Sequence, residues 1–332
     1  MAGIINGKSH PDLAYLISQK TNIPLINYQS KDFANTEVQI NINESIRGKD
    51  IYIVQTGSSN IIKFHKSVND HIIELCLLID TCKRADAKSI TLIVPCYPYA
   101  RQDKKDGPRG CISASVIAKM LETLGINRII SIDLHCAQIQ GFFRKPCDNL
   151  YCIKYLSEHL KTNYFNFDDY KNKFVIISPD EGAFKRAQDY ALIFNLPHMI
   201  LSKERDYSTV NKVNKVVLIG HKKYLEGRTA IIVDDMCDTA GTVIKSTELL
   251  IEKGAKDVIV AVTHGILSNP AIDRINNCEY IKSFICSDSI PQGENMKRCK
   301  KLDVFTISDL LADVVKRLRD GKSVSEVFSY KN

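Results

Sequence analysis

RTAIIVDDMCDTAGT, residues 228–242, is the stretch that sets the fold. Ala230–Val233 is a short β-branched apolar run, the pattern of a buried strand. It ends in two carboxylates, Asp234 and Asp235, and the tight turn Asp238-Thr239-Ala240-Gly241-Thr242 opens a helix predicted over Thr242–Lys253. A helix start presents unpaired N–H groups and the positive end of the macrodipole, and together these bind phosphate. Gly241 lets backbone approach an anion closely, while Thr239 and Thr242 add hydroxyl donors. The two acids would repel that anion unless they face something else, and ribose hydroxyls are natural donors to them. A plain capped helix, with Asp238 or Thr239 as N-cap, explains one Asp or Thr but not the whole set.

The same alternation extends in both directions. Strands are predicted at Asp50–Gln55, Ser89–Pro95, Arg128–Asp133, Phe174–Pro179, Lys215–Gly220, Thr229–Asp234, Asp257–Thr263, Tyr280–Ser287 and Leu302–Ile307. Helical spacing falls between them, including Ile112–Leu124, Glu181–Phe194 and Ser308–Arg319. This is the pattern of α/β layers, mainly parallel sheets flanked by helices, whose ligands sit at the carboxyl ends of the strands. The alternation pauses over Cys152–Tyr170, a polar and aromatic stretch read as the join between two domains, 1–150 and 151–332. The tail near 308–332 is a candidate to pack back on the first domain.

The chain has 332 residues, 25% of them charged, and a formal net charge of +7. That surplus suits phosphorylated substrates and is not gathered into long basic blocks, so nucleic-acid binding has only net charge behind it. The eleven cysteines form no CxxC pair. The amino terminus lacks the pattern of a signal peptide, and no apolar run approaches a membrane span. These features predict a cytoplasmic protein with reduced thiols.

The phosphate loop resembles the 5-phosphoribosyl-diphosphate loop shared by phosphoribosyltransferases and ribose-phosphate diphosphokinases, and alone it does not choose between them. PCYPYARQDKKD (Pro95–Asp106), DLHCAQIQGFFRKPCDN (Asp133–Asn149), FANTEVQI (Phe33–Ile40) and SPDEGAFKRA (Ser178–Ala187), followed by SKER, VTHG and RINN, resemble the diphosphokinases across nearly the whole chain. The resemblance implies two phosphoribosyltransferase-like domains that transfer the β,γ-diphosphate of ATP to C1 of ribose 5-phosphate. It also implies Mg2+ and a cytoplasmic homo-oligomer, a hexamer built from dimers, activated by inorganic phosphate and inhibited by ADP. Phe33, Asn35, Thr36 and Glu37 would bind adenine for a neighbouring subunit, and Arg101, Gln102 and Asp103 would contact ATP. His135, Asp180 and Asp133 would hold the metal. Asp234 and Asp235 would meet the ribose hydroxyls, and Asp238, Thr239, Ala240, Gly241 and Thr242 the 5-phosphate. Lys203 and Arg205, with His135, would be catalytic, the first two at the start of a flexible loop.

A regulatory anion site would use Ser45, Arg47, Gln140, Asp148, Asn149, Ser323 and Ser325. The chain departs from that pattern at Ala137, where many relatives carry a Ser, and at Arg144, where relatives often carry an acid. GPRGC (Gly107–Cys111) and a longer GHKKYLEG turn are further departures. Cys111, Cys136 and Cys237 fall in or beside functional loops. Cys237 is expected at a helix N-terminus, where a thiolate would be favoured. A non-catalytic subunit on the same fold is the rival reading, and retention of His135, Lys203 and Arg205 speaks against it.

Overall fold

The computed structural model describes residues 1–59, 66–105, 107–165, 169–204 and 215–328. The chain divides into two compact units. One comprises Met1–Cys152, Asp288–Pro291 and Thr306–Asn332; the other comprises Ile153–Ser287 and Gln292–Phe305.

The first unit opens with β1 (Ala2–Asn6), the hairpin β2 (Tyr28–Asp32) and β3 (Val38–Ile42), and β4 (Asp50–Val54). It continues with β5 (Ser89–Ile93), β6 (Arg128–Ile132) and β7 (Cys147–Leu150). Its sheet runs in the order β1-β4-β5-β6-β7, parallel throughout. A parallel strand covered on both faces must be apolar on both: Ile51, Ile53 and Leu92 share a core with Leu75, Leu78 and Leu121 of the covering helices, while Tyr52, Val54 and Ile93 at the alternate positions are buried too. The helix Val68–Arg84 begins at a capping box in which Ser67 and Asp70 each satisfy the other's backbone N–H. The helix Ser308–Arg319 packs on Pro11–Thr21, where Lys20 pairs with Asp309 at 2.5 Å and Arg319 donates to the Thr21 carbonyl at 3.1 Å.

The second unit contains β8 (Phe174–Ser178), β9 (His198–Glu204), β10 (Lys215–Ile219), β11 (Thr229–Cys237), β12 (Asp257–Gly265), β13 (Ile281–Ser287) and β14 (Leu302–Phe305). The sheet order is β10-β9-β8-β11-β12-β13-β14, with only β10 antiparallel to its neighbour. Val175, Ile177, Ile232, Val260 and Phe284 form its core. From β8 the chain proceeds outward to β9, whereas from β11 it proceeds the other way to β12. The strand order therefore reverses between β8 and β11, which opens a crevice at their carboxyl ends.

Several elements differ from the sequence expectation. β2 (YQSKD) and β7 (CDNL) are largely polar strands that carry no hydrophobic period. β1 and β3 are not among the expected strands, and β9 is expected only at its Lys203 end. The segment read as a pause contains a helix, Ile153–Asn163, which buries Ile153, Leu156 and Leu160 along one stripe. β11 runs three residues past its predicted end, so Asp234 and Asp235 lie within the strand.

Candidate functional site

The ladder between β11 and β8 stops at Ile232 and Ile177, while that between β11 and β12 continues to Cys237 and Gly265. Beyond Val233, β11 is therefore open on its β8 side, and Asp234 and Asp235 stand at the crevice. Asp180, just past β8, accepts the Ala183 N–H on Oδ1 at 3.0 Å. Burial raises the Asp234 carboxyl well above the ordinary range; the Asp235 charge adds to this, and Asp180 contributes a further like charge. The Asp235 N–H donates to Asp234 Oδ1 at 2.8 Å. Three crowded carboxylates disfavour anions and favour groups that bring hydrogen-bond donors.

The turn that follows has the opposite character. The helix Gly241–Glu252 has Ala240 as its N-cap, at φ 59 and ψ 6, and no side chain caps it. Neither Asp238 nor Thr239 takes the N-cap place considered from the sequence, because the chain turns through Ala240 instead. The left-handed conformation costs a non-glycine residue about 1–2 kcal/mol, so the turn is held by its surroundings. Arg274 Nη1 donates to the Thr239 carbonyl at 2.7 Å. A Cβ placed on Gly241 would meet that Nη1 at 3.4 Å and Thr239 Oγ1 at 3.8 Å, so the protein itself leaves room there. The first-turn amides thus face a site bordered by a glycine, hydroxyls and a guanidinium, a set suited to a phosphate monoester.

Cys237 corrects one expectation. It belongs to β11 rather than to the helix N-terminus, is 4% exposed, and burial pushes its thiol up to about 12. Cys136 is partly buried, and burial together with nearby Asp103 raises its thiol also. Cys111 is exposed.

In the first unit, β5 and β6 are neighbours, so the loops leaving their carboxyl ends are adjacent. Tyr97 anchors the first loop, donating to the Ala114 carbonyl at 3.0 Å and meeting Phe143 edge-on. Gln102 is held through its backbone to Tyr99 and Ala114 and through its side chain to Ser113, while Arg101 remains exposed. Asp103 approaches Cys136, next to the exposed His135. Asp133 is 2% exposed at φ 41, and its Oδ2 accepts the Cys152 N–H at 3.1 Å, so it shapes the loop from within. The hairpin is a separate two-stranded sheet. Its tip is closed by Phe33 N–H to the Glu37 carbonyl at 2.8 Å, with Thr36 at φ 71 and Phe33 45% exposed.

The residues matched to a regulatory site also lie in the first unit. Arg47 pairs with Asp86 at 3.2 Å, and Asp148 pairs with Arg128. Asn149 is buried and accepts the Leu134 N–H at 2.9 Å. Gln140 donates to the Ala137 carbonyl, and Ser323 Oγ accepts the Ser325 N–H. Ser45 and the backbone N–H of Arg144 lie on exposed turns, the latter donating to Glu122. Lys203 is the penultimate residue of β9, opposite Val216, and Arg205 lies outside the described residues. Nothing local in the RINN segment signals that Arg274 reaches the Thr239 carbonyl. Among the described residues, no group of three or more His, Cys, Asp or Glu could hold a metal ion.

Residues 2–125 match a family model described as the N-terminal domain of ribose phosphate pyrophosphokinase, and residues 210–329 match one described as a phosphoribosyl synthetase-associated domain. A phosphoribosylpyrophosphate synthetase from Mycobacterium smegmatis is 36% identical, over 97% of this chain and 100% of its own, with a TM-score of 0.85. A purine phosphoribosyltransferase from Pyrococcus horikoshii is 22% identical over 36% of this chain and 73% of its own. Its TM-score of 0.27 carries no structural argument.

Proposed function

Because the chain belongs to the ribose-phosphate pyrophosphokinase family and makes phosphoribosyl pyrophosphate from ATP and ribose 5-phosphate, we propose that the β8–β11 crevice holds the ribose 5-phosphate. The observation that carries this reading is the uncapped start of Gly241–Glu252 beside the Asp234–Asp235 pair. Amides of the first turn, with Thr239 and Thr242, receive the 5-phosphate, and the two acids accept hydrogen bonds from ribose hydroxyls. The anomeric hydroxyl then attacks the β-phosphorus of ATP and gives up its proton as the new O–P bond forms, while the bond from the β-phosphorus to the oxygen bridging the α-phosphate breaks and AMP departs from the opposite side. In such a transfer, positioning and cationic groups supply most of the catalysis. Lys203 and Arg205 take the cationic role at the transferred group, and Arg101, Gln102 and Asp103 hold ATP. Phe33, Asn35, Thr36 and Glu37 line the adenine site of a neighbouring subunit.

An ATP-using diphosphotransferase generally needs a metal. The donors here suit one that arrives with the nucleotide: exposed His135 and partly buried Asp180 offer few ligands, no cage of three forms among the described residues, and Mg2+ characteristically keeps waters and phosphate oxygens. Bound Mg2+ would neutralise charge on the phosphate oxygens. Asp133 contributes through the shape of the His135 loop.

A homo-oligomer, a hexamer built from dimers, is supported by the half-exposed Ile73, Val116 and Met120, which line an apolar groove of about 480 Å³. The Ser45, Arg47, Gln140, Asp148, Asn149, Ser323 and Ser325 set would sense inorganic phosphate and ADP, with a weaker phosphate response where Ala137 supplies no hydroxyl. All eleven cysteines are free, which supports a cytoplasmic location. Among the described residues no helix is long and apolar enough to cross a membrane.

The test is AMP release from ATP with ribose 5-phosphate as the only acceptor, repeated across phosphate concentrations. Release that requires both substrates, with Asp234→Ala and Asp235→Ala raising KM for ribose 5-phosphate, is the expected result. Normal ribose 5-phosphate dependence in both variants would remove the crevice from the reaction.

A further inference from the structure

We propose that Arg274 is a positioning residue for the phosphate loop, holding the peptide between Thr239 and Ala240 in the orientation that turns the Gly241–Glu252 helix start toward its anion. The inference rests on the assignment of that loop to the 5-phosphate.

Three observations support it. First, Arg274 Nη1 donates to the Thr239 carbonyl at 2.7 Å. That carbonyl belongs to the peptide immediately before Ala240, so the bond restrains both ψ of Thr239 and φ of Ala240. Second, Ala240 occupies the left-handed region at φ 59, a conformation an alanine does not hold unaided. Its carbonyl in turn accepts the Ile244 N–H at 3.0 Å, so rotation at Ala240 would misdirect the first helical turn. Third, no side chain makes a cap hydrogen bond at this helix start.

The anchor for Arg274 is rigid. It stands on the helix Ala271–Asn277, whose Ala271, Ile272 and Ile275 are at most 3% exposed. The preceding segment is tied to the end of β11, where the N–H groups of Ile266 and Leu267 both donate to the Cys237 carbonyl. The guanidinium is therefore brought to the loop by packed elements, while its own surface stays exposed. It also withdraws the Thr239 carbonyl dipole from the anion and leaves a positive charge next to Gly241, where a Cβ would lie 3.4 Å from Nη1. Both effects favour the bound phosphate and neither touches the reacting atoms.

The experiment compares Arg274→Met and Arg274→Lys with the full-length wild type in steady-state kinetics and in ribose 5-phosphate-dependent thermal shift. Losing a charge-assisted hydrogen bond should raise KM for ribose 5-phosphate roughly tenfold in Arg274→Met, with kcat and the KM for ATP within about twofold. Arg274→Lys, which keeps a cationic donor, should recover most of the loss. If both variants keep wild-type ribose 5-phosphate KM, or if Lys and Met behave alike, Arg274 does not position the loop. A wild-type protein whose Tm does not respond to ribose 5-phosphate would instead overturn the assignment of the loop itself.

Discussion

Replacing Gly241 by alanine separates what the protein needs at this position from what its ligand needs. An added Cβ would find Arg274 Nη1 at 3.4 Å and Thr239 Oγ1 at 3.8 Å, both ordinary contacts with side-chain atoms. Alanine also favours helix over glycine by up to about 1 kcal/mol, so the fold should be unchanged or slightly steadier. The ligand's requirement is stricter. A phosphate oxygen must come within about 2.9 Å of a first-turn nitrogen, and a methyl group on that turn stands in its approach. A hydrogen bond to a charged group is worth about 1.5–3 kcal/mol, so losing one lowers affinity by about 10- to 150-fold. The assay is initial rate against ribose 5-phosphate, paired with melting curves in its presence and absence. The expected result is a normal Tm without ligand, a much smaller ligand-induced shift, and a raised KM for ribose 5-phosphate alone. A folded Gly241→Ala enzyme with KM within about twofold of wild type would refute the seating of the phosphate. A large fall in the ligand-free Tm would refute the packing.

Gly57 is the contrasting case: a Cβ there would lie 2.5 Å from Pro98 N and 2.6 Å from the Cys96 carbonyl oxygen, both backbone atoms. Gly57→Ala should cost about 1–3 kcal/mol and displace the loop that carries Arg101, read as a lowered Tm with a raised KM for ATP. Asp303 is held below the ordinary carboxylate value of 3.8 chiefly by its hydrogen bond with His159, aided by the Tyr164 hydroxyl. A lowered pKa stabilises above the unfolded value and is lost as pH falls through the folded one, so Asp303→Asn should be less stable at pH 7 by roughly 2–4 °C for each kcal/mol lost. That deficit should close below pH 3.8, as followed by denaturant titration across pH. In alkylation followed by mass spectrometry, exposed Cys111 should react first and Cys237 only on unfolding.

The readable parts of this molecule were local. The apolar run Ala230–Val233, the acids after it and the glycine turn lie within a few residues of one another, so residue type and spacing reveal the βα unit and suggest the anion site proposed for it. The strands YQSKD and CDNL carry no such period, because their place comes from partners, one in a hairpin and one at a sheet edge. Arg274 is 35 residues from Thr239, and only the packing of its helix brings the two together. The thiol of Cys237 shows the same limit from the other side. Its nearness in sequence to a helix start suggested reactivity, yet β11 continues through it and buries it.

The division of the chain has a consequence for how the protein is made. The first unit begins at Met1 but is completed by Thr306 and the residues after it, while the second occupies most of the sequence between. On a ribosome adding about 5–20 residues per second, the helix Ser308–Arg319 emerges about 8–30 s after Cys152. Until then the exposed flank of Pro11–Thr21 has no cover, and the Thr21 carbonyl lacks the Arg319 donor it has in the finished fold. The second unit can close first, and the first unit, which waits for Thr306 and the residues after it, is sealed last. A ribosome that stalls or stops short of Ser308 therefore leaves the nascent chain with an adhesive N-terminal half, a natural mark for chaperone capture or proteolysis.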